Sequence, residues 1–456
     1  MARAKVVAFC CWVLILTLHH VDEFCCRGAE VALRGHHHVV QMASLVPAST
    51  CSGSYTDGAR PGKMRVSHRY GPCSPLSRED QISPSSAEIL RQDELRVKNL
   101  NAQRAAFRRL GGQVRGSRLP TYGGPIGAGN FVINVGFGTP AQYFTMIFDT
   151  GSKQTWIQCI PCSNTSCYTQ QDPLFDPSAS ATYSNASCEF SPSCDYHIEY
   201  GDKSSSSGQL VRDTFTLTPT DTYSNFIFGC GYNNQGNFGK AAGMLGFGSD
   251  VDPLSFISQT AGSVGMVFCY CLPAADSSVG HISFGAEALT TCSSDIYTSL
   301  IQYRYYPSFY FIRLNGITVA GEPLEIPPFL TILDSGTVIT RLPPSVYNPL
   351  KSAFMKSMSQ YPPAPPLTPL MDTCYNLTGY GNFTAPEMAL QLGGSSEIRL
   401  HPAAVIWRES DSQVCLAFAG NKEDTDKAII GNHQQKTLNI LYEIRAGEIS
   451  FSSQGC

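Results

Sequence analysis

Past its first residues the sequence contains no run of 18 apolar residues, and a helix needs about 20 to cross a bilayer. Its last residues, Phe-Ser-Ser-Gln-Gly-Cys, lack the hydrophobic tail of a lipid-anchor signal. Cys159 and Cys162 form a Cys-x-x-Cys without a second one to complete a zinc site, and no strand–helix context supports a redox pair. No metal and no cofactor are therefore expected. The basic stretch near the front lacks interleaved aromatics, so nucleic-acid binding is not expected either. Helical runs are few, while Gly, Pro, Ser, Thr and Tyr are abundant, which favours β structure.

What is present begins with a secretory pattern. Arg3 and Lys5 precede an apolar core from Val6 to Leu18, with a cleavage point expected within Gly28–Ala32, so residues 1–29 read as a signal. Eighteen cysteines behind such a signal imply an oxidising compartment, and the twelve past residue 150 fit six disulfides. Cys374–Cys415 and Cys188–Cys194 are the reasonable local pairs. Asn164, Asn185, Asn376 and Asn382 head glycosylation sequons.

The net charge of −4 hides an asymmetry: residues 60–118 carry 13 Lys/Arg against 5 Asp/Glu, and residues 119–456 carry 15 against 27. A basic front and an acidic body suggest an electrostatic partnership within one chain. The front also holds the strongest helix signal. Ser85 and Glu88 form a capping box, Leu90, Val97, Leu100 and Phe107 fall near one stripe, and Gly111-Gly112 stops the helix. The exposed basic stretch that follows suits proteolytic nicking, so residues 30–118 are expected to be a removable prosegment. The run His36-His37-His38 reads as a solvated loop.

From Asn130 short alternating runs separated by Gly, Pro and Asn read as strands, with short helices expected around Leu254–Gln259 and Pro344–Met358. A quiet repeat runs through this body. Asp149 lies in Asp149-Thr150-Gly151-Ser152 after an apolar run, and Asp334 in Asp334-Ser335-Gly336-Thr337 after another. Each is followed 97 residues later by a Gly closing an apolar pair, Gly246 and Gly431. Equal spacing implies two lobes on one plan, here 119–300 and 301–456, with the two Asp facing each other across a pseudo-twofold axis. Gly would let the turns approach. Thr150 and Ser335 would bond across the interface, and Ser152 and Thr337 would hold the outer carboxylate oxygens.

With these motifs the body resembles a pepsin-like aspartic endopeptidase of the plant nepenthesin-type branch. Supporting stretches include "GTPAQYFTMIFDTGS", "CIPCSNTSC", "AAGMLGFG", "ILDSGTVITRLPPSVY" and "IIGNHQQKTLNILYE". The resemblance implies a mainly β, bilobal fold with a cleft between lobes, preceded by a partly helical prosegment. It implies Asp149 and Asp334 as the catalytic pair and "HIEYGDKSSSSG" as the substrate flap, with Tyr200, Gly201 and Asp202 at its end and Trp156 as the hydrogen-bonding neighbour of Tyr200. Lys203 stands where family flaps usually carry a second Gly, a departure that costs roughly 1 kcal/mol if the tip needs positive φ. The saposin-like insert of some plant relatives has no counterpart. The implied protein is a secreted zymogen and a monomer, free of the membrane after signal removal. Its partners would be a polypeptide substrate and its own prosegment. Apoplast or cell wall is the expected location, with vacuole or plastid as alternatives. The rival readings are a weak or inactive secreted inhibitor or recognition protein on the same fold, and a glycosidase, whose two acids would stand about 5–9 Å apart.

Overall fold

The computed structural model describes the chain from residue 36 to 456 except 47, 53–61, 78–83, 110–120, 123–130, 164, 188–193, 201–202, 250–252, 304–305, 307, 367, 394–395 and 454; the side chains of 102–109 and 121–122 are also outside the description. The signal, the nicking stretch, Phe107, Gly111-Gly112, Asn164, Cys188, Gly201 and Asp202 therefore lie outside the described residues.

The protein is mainly β. One sheet of 15 strands winds through the molecule, and three of four and five strands complete the C-terminal half. The elements that position the site are β1 (His37–Gln41), β2 (Lys63–His68), β3 (Phe131–Phe137), β4 (Gln142–Asp149), β5 (Gly243–Gly246), β6 (Phe329–Leu333), β7 (Thr340–Leu342) and β8 (Ala428–Ile430). Four helices matter: α1 (Ser86–Arg109), α2 (Phe256–Val264), α3 (Gly285–Cys292) and α4 (Pro344–Ser357). The expected repeat is visible in the pairing. β5 runs parallel to β4 with Gly246 opposite Asp149, and β8 runs parallel to β6 with Ile430 opposite Leu333.

Phenylalanines fill the N-terminal lobe: Phe137 meets Phe144, Phe175, Phe215 and Phe228 at centroid distances of 4.7–6.4 Å. Each ring fully removed from water contributes on the order of 2–3 kcal/mol. The same core continues through Tyr310, Leu333 and Leu342 to Leu350 and Phe354 of α4.

The short helix expected at Leu254–Gln259 starts later and runs to Val264, because Ser255 caps it through the N–H of Ser258. The three His are not a solvated loop: His37 and His38 open β1, which pairs antiparallel with Asn382–Pro386. The front segment also contributes strands. β2 is wedged into the large sheet between Val279–Phe284 and β3, and its buried Met64, Val66 and His68 alternate with Lys63, Arg65 and the buried Ser67. The large sheet also crosses position 300, since Val267–Cys271 and Ile296–Ser299 pair with Asn439–Glu443 and Glu448–Ser452.

Ten of the twelve cysteines past residue 150 form five described disulfides: 159–230, 162–167, 269–292, 271–456 and 374–415. Cys194 is also disulfide-bonded, and Cys51–Cys73, the sixth bridge with both partners among the described residues, staples the front segment. Cys159 and Cys162 thus close onto different partners. Cys269 and Cys292 stand near His281, but with both sulfurs in one disulfide neither offers a thiolate to a metal.

Candidate active site

Each Asp sits where its strand breaks into a Gly turn. The Phe247 N–H donates to the Asp149 carbonyl at 2.8 Å, and the Asp334 N–H donates to the Ile430 carbonyl at 3.2 Å. The turns interlock: the Thr150 N–H donates to Ser335 Oγ at 3.0 Å, the Ser335 N–H donates to Thr150 Oγ1 at 2.9 Å, and the two hydroxyls bond at 3.3 Å. Gly is required on both sides, because a Cβ on Gly151 would lie 2.6 Å from Asp334 Oδ1. Asp149 Oδ1 accepts from the Gly151 N–H at 2.9 Å, and Asp334 Oδ1 accepts from the Gly336 N–H at 3.0 Å.

The outer oxygens differ. The Thr337 hydroxyl donates to Asp334 Oδ2 at 2.5 Å. The Ser152 hydroxyl instead donates to Met244 Sδ at 3.1 Å, so the role expected for Ser152 is not taken. The outer oxygen of Asp149 is served by a residue that the sequence reading passed over, Arg96 of α1.

Arg96 lies between the two acids. Its Nη2 donates to Asp149 Oδ1 at 3.0 Å and to Asp334 Oδ1 at 2.7 Å; Nη1 donates to Asp149 Oδ2 at 3.3 Å, and Nε to Asp334 Oδ2 at 3.0 Å. All three side chains are fully buried. Burial alone would favour the neutral guanidine, but the two carboxylates more than offset it and hold the Arg96 pKa above its usual value. Burial raises the pKa of Asp149; Arg96 opposes the rise and Asp334 adds to it.

One turn earlier on α1, Asp93 is equally buried. Its Oδ1 accepts from the Val338 N–H at 2.7 Å, and its Oδ2 accepts from the Ile339 N–H at 3.2 Å and from Arg341 Nη2 at 2.7 Å. Apolar contacts flank these polar ones. Leu90 packs with Val338, Ile339 and Met371, while Val97 and Leu100 pack with Tyr306, Phe309 and Ile429. Half of the capping box forms: the Glu88 N–H donates to Ser85 Oγ at 3.2 Å, while the Glu88 carboxylate accepts from Arg91 and Gln92 instead. The signal for Asp93 and Arg96 lay in the stripe itself: they stand, respectively, three residues after Leu90 and four before Leu100, on the face where a packed helix would carry apolar residues.

On the N-terminal side, Asp195–Glu199 and Ser205 onward form a hairpin closed by the Tyr200 N–H donating to the Ser204 carbonyl at 2.7 Å. Lys203 at its tip has φ of 68°. Trp156 Nε1 donates to the Tyr200 hydroxyl at 2.6 Å. Both pack with Phe238, Met244 and Leu76 of the front segment. A cavity of about 230 Å³ lies beside the dyad rather than on it, lined among others by His68, Asp276, Trp407, His433 and Lys436. The acids themselves have no open space, since Arg96 fills it. Asn185, Asn376 and Asn382 are exposed. Among the described residues no helix is long and apolar enough to cross a membrane.

Comparison with known proteins places this geometry. Residues 131–286 match the family model described as xylanase inhibitor N-terminal, and residues 309–453 match xylanase inhibitor C-terminal. An aspartyl protease family protein of Arabidopsis thaliana is 39% identical over 92% of this chain and 93% of its own length. Aspartic proteinase nepenthesin-2 of Nepenthes gracilis is 32% identical over 80% of this chain and 85% of its own. Conglutin gamma from lupine seeds shares the fold, with a TM-score of 0.56 at 20% identity over 71% of this chain and 92% of that one. The chain belongs to the pepsin-like aspartic proteases, in the plant branch that includes the nepenthesins.

Proposed function

We propose that the protein is a secreted aspartic endopeptidase made as a zymogen, in which Asp149 and Asp334 hydrolyse peptide bonds at acidic pH and residues 30–118 hold the enzyme latent. The observation that carries this reading is the convergence of both carboxylates on one atom, Arg96 Nη2, at 3.0 and 2.7 Å. Two acids that close cannot both ionise cheaply without a cation between them, so on its departure they share a proton. The ionised member then takes a proton from a water held between them while the protonated member donates to the scissile carbonyl. Water attacks, a gem-diol forms, and the amine leaves protonated. The two titrations belong to the pair. A glycosidase would need its acids apart to admit a sugar, which one shared guanidinium argues against.

Latency follows from the same contact. The arginine occupies the position of the water, and α1 covers the cleft. By linkage, a state that releases Arg96 binds more protons at the dyad than the clamped state, so acid favours release. The inhibitor alternative draws on the descriptions of the matched family models, but the paired acids and both Gly turns are intact.

The test is expression of the proform, acidification, and cleavage-site profiling of wild type beside Asp149→Asn. Wild type is expected to mature and to cleave a peptide library with pepstatin sensitivity, and Asp149→Asn to do neither. Equal cleavage by both, or none by wild type after the front segment is gone, would overturn the reading.

A further inference from the structure

Asp93 is held by three donors, and all three belong to the body. The Val338 and Ile339 N–H groups and Arg341 Nη2 converge on its carboxylate at 2.7–3.2 Å. Val338 is four residues past Asp334, so this cradle lines the cleft wall beside the dyad. Among the described residues, Asp93 is the one carboxylate within ion-pair distance of Arg341. Asp372, in the same lobe, is committed elsewhere, to the Tyr347 hydroxyl, to Lys351 Nζ at 2.8 Å and to Thr373 Oγ1 at 2.8 Å. Arg341 is 2% exposed. When α1 leaves, Arg341 keeps the Ile339 carbonyl, which its Nη1 meets at 2.8 Å, but its charge and the two backbone N–H groups lose their carboxylate, and a cation left without a counter-charge is costly where water does not fully replace it.

We propose that in the mature enzyme this cradle is a substrate subsite for a carboxylate side chain. Asp93 and Arg96 are three helical residues apart, a rise of about 4.5 Å. An extended peptide covers that distance in one to two residues at about 3.3 Å each. With Arg96 marking the point of hydrolysis, the subsite takes an Asp or Glu one to two residues from the scissile bond. Asp93 is then a mimic of the substrate side chain, as Arg96 is a plug for the dyad. The backbone amides fix the carboxylate plane and Arg341 supplies the charge. The inference rests on the hydrolase reading above.

The experiment uses enzyme matured from the full chain. Labelled peptides identical except for Glu or Gln at each position from three before to three after the scissile bond are compared by kcat/KM and by fluorescence polarisation. At pH 5, Glu is expected to be favoured at one position by about tenfold or more, the range of a charge-assisted hydrogen bond. The preference should shrink at pH 3 as the peptide carboxylate protonates, near 4.3. Arg341→Gln should bring the ratio of kcat/KM for Glu over Gln peptides to about one, whatever it does to either rate alone. Cleavage within twofold for Glu and Gln at every position, or a preference that survives Arg341→Gln, would overturn the subsite and leave hydrolysis standing. Glu-selective binding without turnover would keep the subsite and remove the hydrolase reading. Absence of selective binding and of turnover would overturn both.

Discussion

At the scale of single residues, the site is decided by how closely the two Gly turns let other atoms approach the acids. Gly151 and Gly336 are needed because a Cβ on either would enter the space of Arg96 Nη2, at 2.5 and 2.3 Å. A substrate atom in the same space would be met in the same way. Gly151→Ala is therefore expected to fold and to lose at least about a hundredfold in kcat, because a misplacement near 1 Å costs that much; circular dichroism beside a kinetic assay checks both halves. The paired Asp and Gly were legible from sequence, since turn chemistry is local and the spacing repeated. The role of Ser152 was not. Its hydroxyl turns to Met244 Sδ, a partner 92 residues away that no local pattern announces.

At the scale of elements, α1 and β2 hold the front segment by different chemistry. The helix was legible through its cap and stripe, whereas β2 was missed because its Lys, Arg and His residues hid a half-buried alternation. Removing Arg96 leaves two carboxylates buried without their cation, a loss of roughly 3–5 kcal/mol when one partner of a buried pair is deleted. Arg96→Gln proform should consequently cleave added peptide at pH 5 before any processing, where wild-type proform shows a lag. β2 adds a second pH response. His68 is buried and its pKa is lowered, chiefly by desolvation; Asp276 at 3.6 Å works against this, and Lys436 and Arg69 add to it. Released, His68 titrates near 6.5, so below that pH the free segment binds a proton the docked one does not. Docking then weakens by up to about 1.4 kcal/mol per pH unit, until the docked pKa is reached. His68→Gln should give a shallower pH dependence of segment release, read by size-exclusion after acid jumps from pH 7.

At the scale of the whole molecule, the charge asymmetry and the buried contacts make separable predictions. The 13 Lys/Arg of residues 60–118 and the 27 Asp/Glu of residues 119–456 attract over long range, and salt screens such attraction beyond about 8–10 Å. The pairs that fasten the segment, Arg96 with Asp149 and Asp334 and Asp93 with Arg341, are 0–2% exposed and lie beyond the reach of mobile ions. Encounter and hold are thus governed by different charges. If released front segment is added back to mature enzyme at pH 6.5, its association rate should fall several-fold between 50 and 500 mM salt, while its dissociation rate changes little. Lowering pH to 4 should do the reverse, speeding dissociation with a smaller effect on association. Stopped-flow inhibition kinetics read both rates. A dissociation rate that followed salt as strongly as association would mean that exposed pairs, rather than the arginine between the two acids, keep the cleft closed.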